Sequence, residues 1–160
     1  MKILYLLRHA KSSWDDASLS DFERPLNDRG EKSAPAVGKF MRSEGYLPEI
    51  IISSPAVRAR RTAEIVNQEI GCKIRFEENI YAAATSELLA IVSNLDDAIS
   101  SAMLVGHNPG FEHLVSILTG EYEAMPTAAL AVIDLNTHSW STVAPGKGVL
   151  RNLFRPKDLV

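Results

Sequence analysis

Arg8 and His9 are neighbours in the sequence, Arg58 opens the basic run Arg58-Ala59-Arg60-Arg61, and His107 begins the segment His107-Asn108-Pro109-Gly110. Brought together, two guanidiniums and two imidazoles make a compact cationic pocket. Its natural guest is a phosphoryl group, which carries close to two negative charges and three acceptor oxygens. Other reactive constellations are missing. Cys72 is followed by Lys73-Ile74-Arg75-Phe76-Glu77-Glu78, with no arginine six residues on, so a cysteine phosphatase loop is absent. There is no Gly-x-Ser-x-Gly nucleophile elbow and no P-loop. His9, His107, His113 and His138 lack zinc-ligand spacing, so neither a metal nor a cofactor is expected.

The elements that must position these groups alternate strand and helix. That pattern predicts an α/β fold, a three-layer α/β/α sandwich with a mostly parallel central sheet. Residues 3–7 read as a buried first strand, and a polar stretch over residues 11–25 reads as a long, functional loop. Asn27 is a good N-cap for a helix whose buried stripe is Ala34, Val37, Gly38 and Met41. Pro35 is expected to kink it, and Gly45 to end it. Three consecutive isoleucines mark a second strand over residues 49–53, buried on both faces. Ser54-Pro55 reads as N-cap and first-turn proline of the next helix, which runs to about residue 70 with Gly71 after it. Further expectations are a strand over 73–77, a helix over 85–95, a strand over 102–106 and a helix over 111–118. Two last strands are expected over 128–135 and 140–143, joined by a turn carrying His138, with an irregular tail from Gly146. Arg8-His9, Arg58 and His107 then all fall just beyond the carboxyl ends of strands, where open α/β sheets bind ligands. Helix N-termini after Ser54 and His107 add backbone donors.

Composition bounds the reading. The chain has 160 residues, enough for one domain, and 46% are hydrophobic, enough for a core. Charged residues make up 23%, which excludes a disordered chain. The net charge of −3 argues against a nucleic-acid binder. A single cysteine fits a reducing compartment, and the apolar run at residues 3–7 is too short for a signal peptide or a membrane span. A cytoplasmic monomer without nucleic-acid or membrane partners is expected.

The motifs resemble those of the histidine phosphatase superfamily, the phosphoglycerate mutase-like fold. Leu7-Arg8-His9-Ala10 is similar to its strand-end motif, residues 53–64 to its second motif, and Val105-Gly106-His107-Asn108-Pro109 to its third. Arg24-Pro25-Leu26-Asn27-Asp28-Arg29-Gly30 is similar to the segment leading into its first helix. The likeness spans nearly the whole chain, as one domain over residues 1–160, and the short length matches the small bacterial phosphohistidine phosphatase branch, the SixA type. The resemblance implies a metal-independent phosphatase in which His9 takes up the phosphoryl group. Arg8, Arg58 and His107 hold its oxygens and offset charge in the transition state, and water hydrolyses the intermediate. Lys11 and Asn108 join Arg8, Arg58 and His107 as expected substrate-binding residues.

One departure bears on the substrate. Many relatives carry an acid in the loop that here reads Tyr81-Ala82-Ala83-Ala84, and others pair the third-motif histidine with Asp where this chain has Asn108. Asp15, Asp16 and Glu87 stand as substitutes. An alkoxide leaving group needs a proton donor, whereas a phosphorylated imidazole leaves as a weakly basic nitrogen. The expected substrate is therefore a phosphohistidine-containing protein. A small phosphorylated molecule, or a non-catalytic phosphate-binding module, is the alternative. Trp14, in the long loop, is a candidate for the pocket wall.

Overall fold

The computed structural model describes residues 1–159; Val160, the last residue of the expected domain, lies outside the described residues. Its strands are β1 (Ile3–Arg8), β2 (Ile50–Ser53), β3 (Lys73–Phe76), β4 (Ser101–Gly106), β5 (Leu130–Asp134) and β6 (Val149–Phe154). Its helices are α1 (Asp28–Glu44), α2 (Val57–Ile70), α3 (Thr85–Ser93) and α4 (Gly110–Thr119). The strands form one sheet in the order β3-β2-β4-β1-β5-β6.

Period-two alternation along the strands sorts the core into two layers. Leu4, Leu6, Ile52, Ala102 and Leu104 pack on one face, against Leu88 and Val92 of α3 and Phe111, Leu114 and Leu118 of α4. Tyr5, Leu7, Ile51, Met103 and Val105 pack on the other, against Ala34, Val37 and Met41 of α1 and Ala59, Ala63 and Val66 of α2. Ile51 and Ile52 are wholly buried on opposite faces, each contributing about 1.5–3 kcal/mol of transfer free energy. This is the expected three-layer sandwich.

The helix ends follow from local chemistry. The Asn27 side chain accepts from the Gly30 amide at 2.9 Å and caps α1. Gly45, Gly71 and Gly120 close α1, α2 and α4 in the left-handed region. Helix α1 continues through Pro35, which leaves the Glu31 carbonyl without its helical donor.

The sheet is mostly parallel, as expected: β1, β2, β3 and β4 are parallel, and β5 and β6 join antiparallel to their neighbours. Three expectations are corrected. Residues Trp140–Thr142 are a 3-10 turn rather than a strand, because Asp97 accepts from the Trp140 amide and the Ile99 carbonyl accepts from its indole. The strand that pairs with β5 is β6, inside the segment expected to be irregular. Helix α2 starts at Val57, since the Ser54 hydroxyl accepts from the Ala56 amide two residues on and sets up a turn first. Among the described residues no helix is long and apolar enough to cross a membrane.

Candidate active site

The site grows out of the sheet's register. In β1 and β4, Leu7 lies opposite Val105 and Arg8 opposite Gly106; in β2 and β4, Ser53 lies opposite Val105. The ladder runs one residue past each strand. The His9 amide donates to the Gly106 carbonyl at 3.0 Å, and the Ser54 amide to the Val105 carbonyl at 2.9 Å. His9, Ser54 and His107 are thereby fixed side by side at the carboxyl edge. Gly106 is required there: a Cβ would stand 2.7 Å from Ile80 and 2.8 Å from the Phe111 ring. Helix α2 locks the same corner from above. The Thr62 hydroxyl accepts from the Ala10 amide at 3.0 Å and donates to the Arg58 carbonyl at 2.7 Å.

A pocket of about 240 Å3 opens at this edge, lined by Arg8, His9, Lys11, Ser12, Trp14, Arg24, Arg58, His107, Asn108 and Thr127. All six expected site residues line it, and so does Trp14, whose ring lies 3.2 Å from the Arg24 guanidinium. The rings of His9 and His107 have their centroids 5.2 Å apart. His9 is buried, and its Nδ1 lies 2.7 Å from the Ala10 carbonyl. A carbonyl only accepts, so Nδ1 carries the hydrogen and Nε2 keeps its lone pair. Burial, reinforced by Arg58, Arg8 and Arg24, pushes the His9 pKa down to about 4. Burial, then His9 and Arg58, pushes His107 down to about 3. Both imidazoles are neutral at pH 7, the state a nucleophile needs.

His107 Nε2 lies 2.7 Å from the Ser54 hydroxyl. Arg8 Nη1 and Asn108 Nδ2 both donate to the Met125 carbonyl, at 3.0 and 2.8 Å. The buried side-chain atoms left without a partner among the described residues are Arg8 Nε, His107 Nδ1 and Asn108 Oδ1. All three belong to residues of this one pocket. Arg8 Nε is a donor, as is His107 Nδ1 when it carries the ring hydrogen, and these suit an incoming oxyanion, whereas Asn108 Oδ1 only accepts.

Sequence reasoning missed Asp21. Its carbonyl and Oδ2 accept from the two ends of the Arg58 fork at 2.6 and 3.0 Å, and its Oδ1 accepts from Arg24 at 3.0 Å. Tyr81 donates its hydroxyl to Oδ2 at 2.7 Å. That bond, with those from Arg58 and Arg24, brings the Asp21 pKa down to about 2. Asp21 therefore orients Arg58 and stays ionised, with no proton to give. The Ser20-x-x-Glu23 capping box was the available signal for an ordered turn here. The substitutes considered for an acid are otherwise engaged: Glu87 accepts from the Ala84 amide, Asp16 accepts from Ser18, and neither they nor Asp15 line the pocket. His113 and His138 are exposed and apart from it. Among the described residues no group of three or more His, Cys, Asp or Glu could hold a metal ion.

The family model of the histidine phosphatase superfamily (branch 1) matches residues 4–82, which carry Arg8, His9 and Arg58. The chain belongs to the histidine phosphatase superfamily. A solved SixA structure from Agrobacterium tumefaciens is 29% identical and superposes with a TM-score of 0.85 over 97% of this chain and 98% of that one. The protein histidine phosphatase SixA complexed with tungstate shares the fold at 23% identity, with a TM-score of 0.86 over 99% of both chains. An uncharacterized chloroplastic protein of Arabidopsis thaliana is 34% identical over 98% of this chain and 79% of its own length.

Proposed function

We propose that the protein hydrolyses phosphohistidine on a partner protein through a covalent phosphohistidine of its own, and that it needs no metal. The observation that carries this reading is the pocket wall itself: three arginines, a lysine and two histidines, with no carboxyl group among the described lining residues. The similarity to the SixA structure supports the same substrate class.

The substrate imidazole takes a proton from solvent on its other ring nitrogen. His9 Nε2 then attacks phosphorus in line, the N–P bond breaks, and the released nitrogen keeps the electron pair, so the substrate ring departs as neutral imidazole. His9 then carries the phosphoryl group on Nε2 and a hydrogen on Nδ1. The positive charge this places on the ring is steadied by the Ala10 carbonyl. Arg8, Arg58 and His107 surround the phosphoryl oxygens and take the place of a divalent cation. Water then attacks phosphorus, the His9–P bond breaks, inorganic phosphate leaves with one water proton released, and neutral His9 returns. Lys11 is exposed at the pocket rim and suits an outer phosphoryl oxygen. Asn108 orders the Met125 carbonyl that also holds Arg8.

Without a proton donor, the transition state carries the full charge of the departing atom. General acids contribute about 10²–10⁴-fold, so alkyl phosphates should be slower than phosphohistidine protein by at least the lower figure. The test is kcat/KM for a phosphohistidine protein against a series of aryl and alkyl phosphates, run after exhaustive chelation. A steep fall with rising leaving-group pKa supports the reading. A flat dependence favours a small-molecule phosphomonoesterase, and activity restored only by a divalent metal contradicts metal independence.

A further inference from the structure

Beside the catalytic pocket lies a second, larger cleft of about 560 Å3, and the two share Arg8, Lys11 and Thr127 in their walls. Its other charged lining residues are Arg29, Lys157, the acid Glu112 and Arg155, which is already paired with Glu123 at 3.4 Å. The Glu112 carboxylate is already engaged, accepting from the Met125 amide at 2.6 Å. Lys11, Arg29 and Lys157 are exposed and have no ion-pair partner among the described residues. This excess of positive charge stands out on a chain whose acids outnumber its basic residues 20 to 17.

The cations come from three separate places: the end of β1 and the loop after it, the first turn of α1, and the segment following β6. A small-molecule site buries its ligand among a few fixed polar groups. Here long, exposed side chains border an open cleft, which suits electrostatic recognition of another protein's surface. We infer that this cleft docks an acidic stretch flanking the phosphohistidine of the partner protein, holding it while the phosphoryl group enters the neighbouring pocket. The inference rests on the phosphohistidine reading above and adds to it the charge of the partner.

Phosphohistidine peptides that differ only in their flanks, Asp/Glu-rich or Lys-rich, test it, with an aryl phosphate as a measure of pocket chemistry. Wild-type protein should cleave the acidic peptide at least tenfold more efficiently, through KM, and the preference should shrink as salt rises. In Arg29→Glu/Lys157→Glu the preference should vanish or invert while aryl phosphate turnover stays within about twofold. Equal efficiency on both peptides, or a preference untouched by the double substitution, overturns the docking proposal alone. Stronger preference for a small phosphomonoester bearing a second anionic group over the acidic peptide places a small ligand in the cleft and also overturns it. Aryl phosphate turnover with neither peptide cleaved overturns the phosphohistidine reading, and the docking proposal with it.

Discussion

Arg58 owes its role to its place in the first turn of α2. It is buried and held by Asp21, whereas Arg60 and Arg61 on the same helix are exposed and pair with Glu64 and Glu31. Arg58→Ala should weaken orthovanadate binding by about 1.5–3 kcal/mol. Arg60→Ala and Arg61→Ala should change it by less than about 1 kcal/mol, as expected for surface pairs. Equal losses in all three, measured by competition against substrate, would remove the special status of Arg58. The buried His9 and half-buried His107 imidazoles also set a pH dependence of stability. Their folded pKa values, about 4 and about 3, lie below the unfolded value of about 6.5. Between these limits the unfolded chain binds more protons, so stability is complete above about pH 6.5 and falls as the pH drops towards 4. Each histidine contributes a slope of up to about 1.4 kcal/mol per pH unit. Urea unfolding from pH 7.5 to 5 should show this loss, and His9→Gln should reduce the slope. A variant with the wild-type slope would show that His9 titrates normally in the folded protein. Asp21, with its pKa near 2, acts in a separate window below about pH 4.

The strands and helices aim these groups, and their seams are tight. A Cβ on Gly30 would stand 2.2 Å from the Lys11 carbonyl oxygen, which also accepts from the Asn27 amide at 3.0 Å. The first turn of α1 is thus packed directly on the loop that follows His9. Gly30→Ala should force the two apart, costing about 1–3 kcal/mol of stability and lowering kcat/KM because Lys11 and Ser12 shift with the loop. Thermal unfolding and kinetics on the same preparation check both; an unchanged melting temperature would mean that the contact relaxes freely. Most of these elements were legible in the sequence. The apolar periods of α1 and α2, Asn27 before α1 and Gly71 after α2 gave helices whose ends the structure moves by only a few residues. The C-terminal strands were not. Strand β6 is an edge strand of sequence Val-Leu-Arg-Asn-Leu-Phe, with polar residues at its centre, half of its residues exposed and none buried, and no clean alternation. Trp140 has strand-like neighbours in the sequence, but its conformation is decided by Asp97 and Ile99, more than forty residues away.

Across the whole molecule, one mixed sheet brings residues 8, 9, 58 and 107 to a single edge, and that convergence was legible because each follows a strand with a strong apolar signature. Asp21 was not legible, since it lies in a long polar loop and acts only through contacts with Arg24, Arg58 and Tyr81 that tertiary folding creates. The larger basic cleft was equally hidden, because its cations are scattered from Arg8 to Lys157. The account as a whole turns on one atom, His9 Nε2, taking the phosphoryl group. Incubation with a radiolabelled phosphohistidine protein, followed by rapid alkaline quenching, reads this directly. The account predicts label on wild-type protein at His9, stable to base and lost in acid, and none on His9→Ala. Label at the wild-type level on His9→Ala would contradict it.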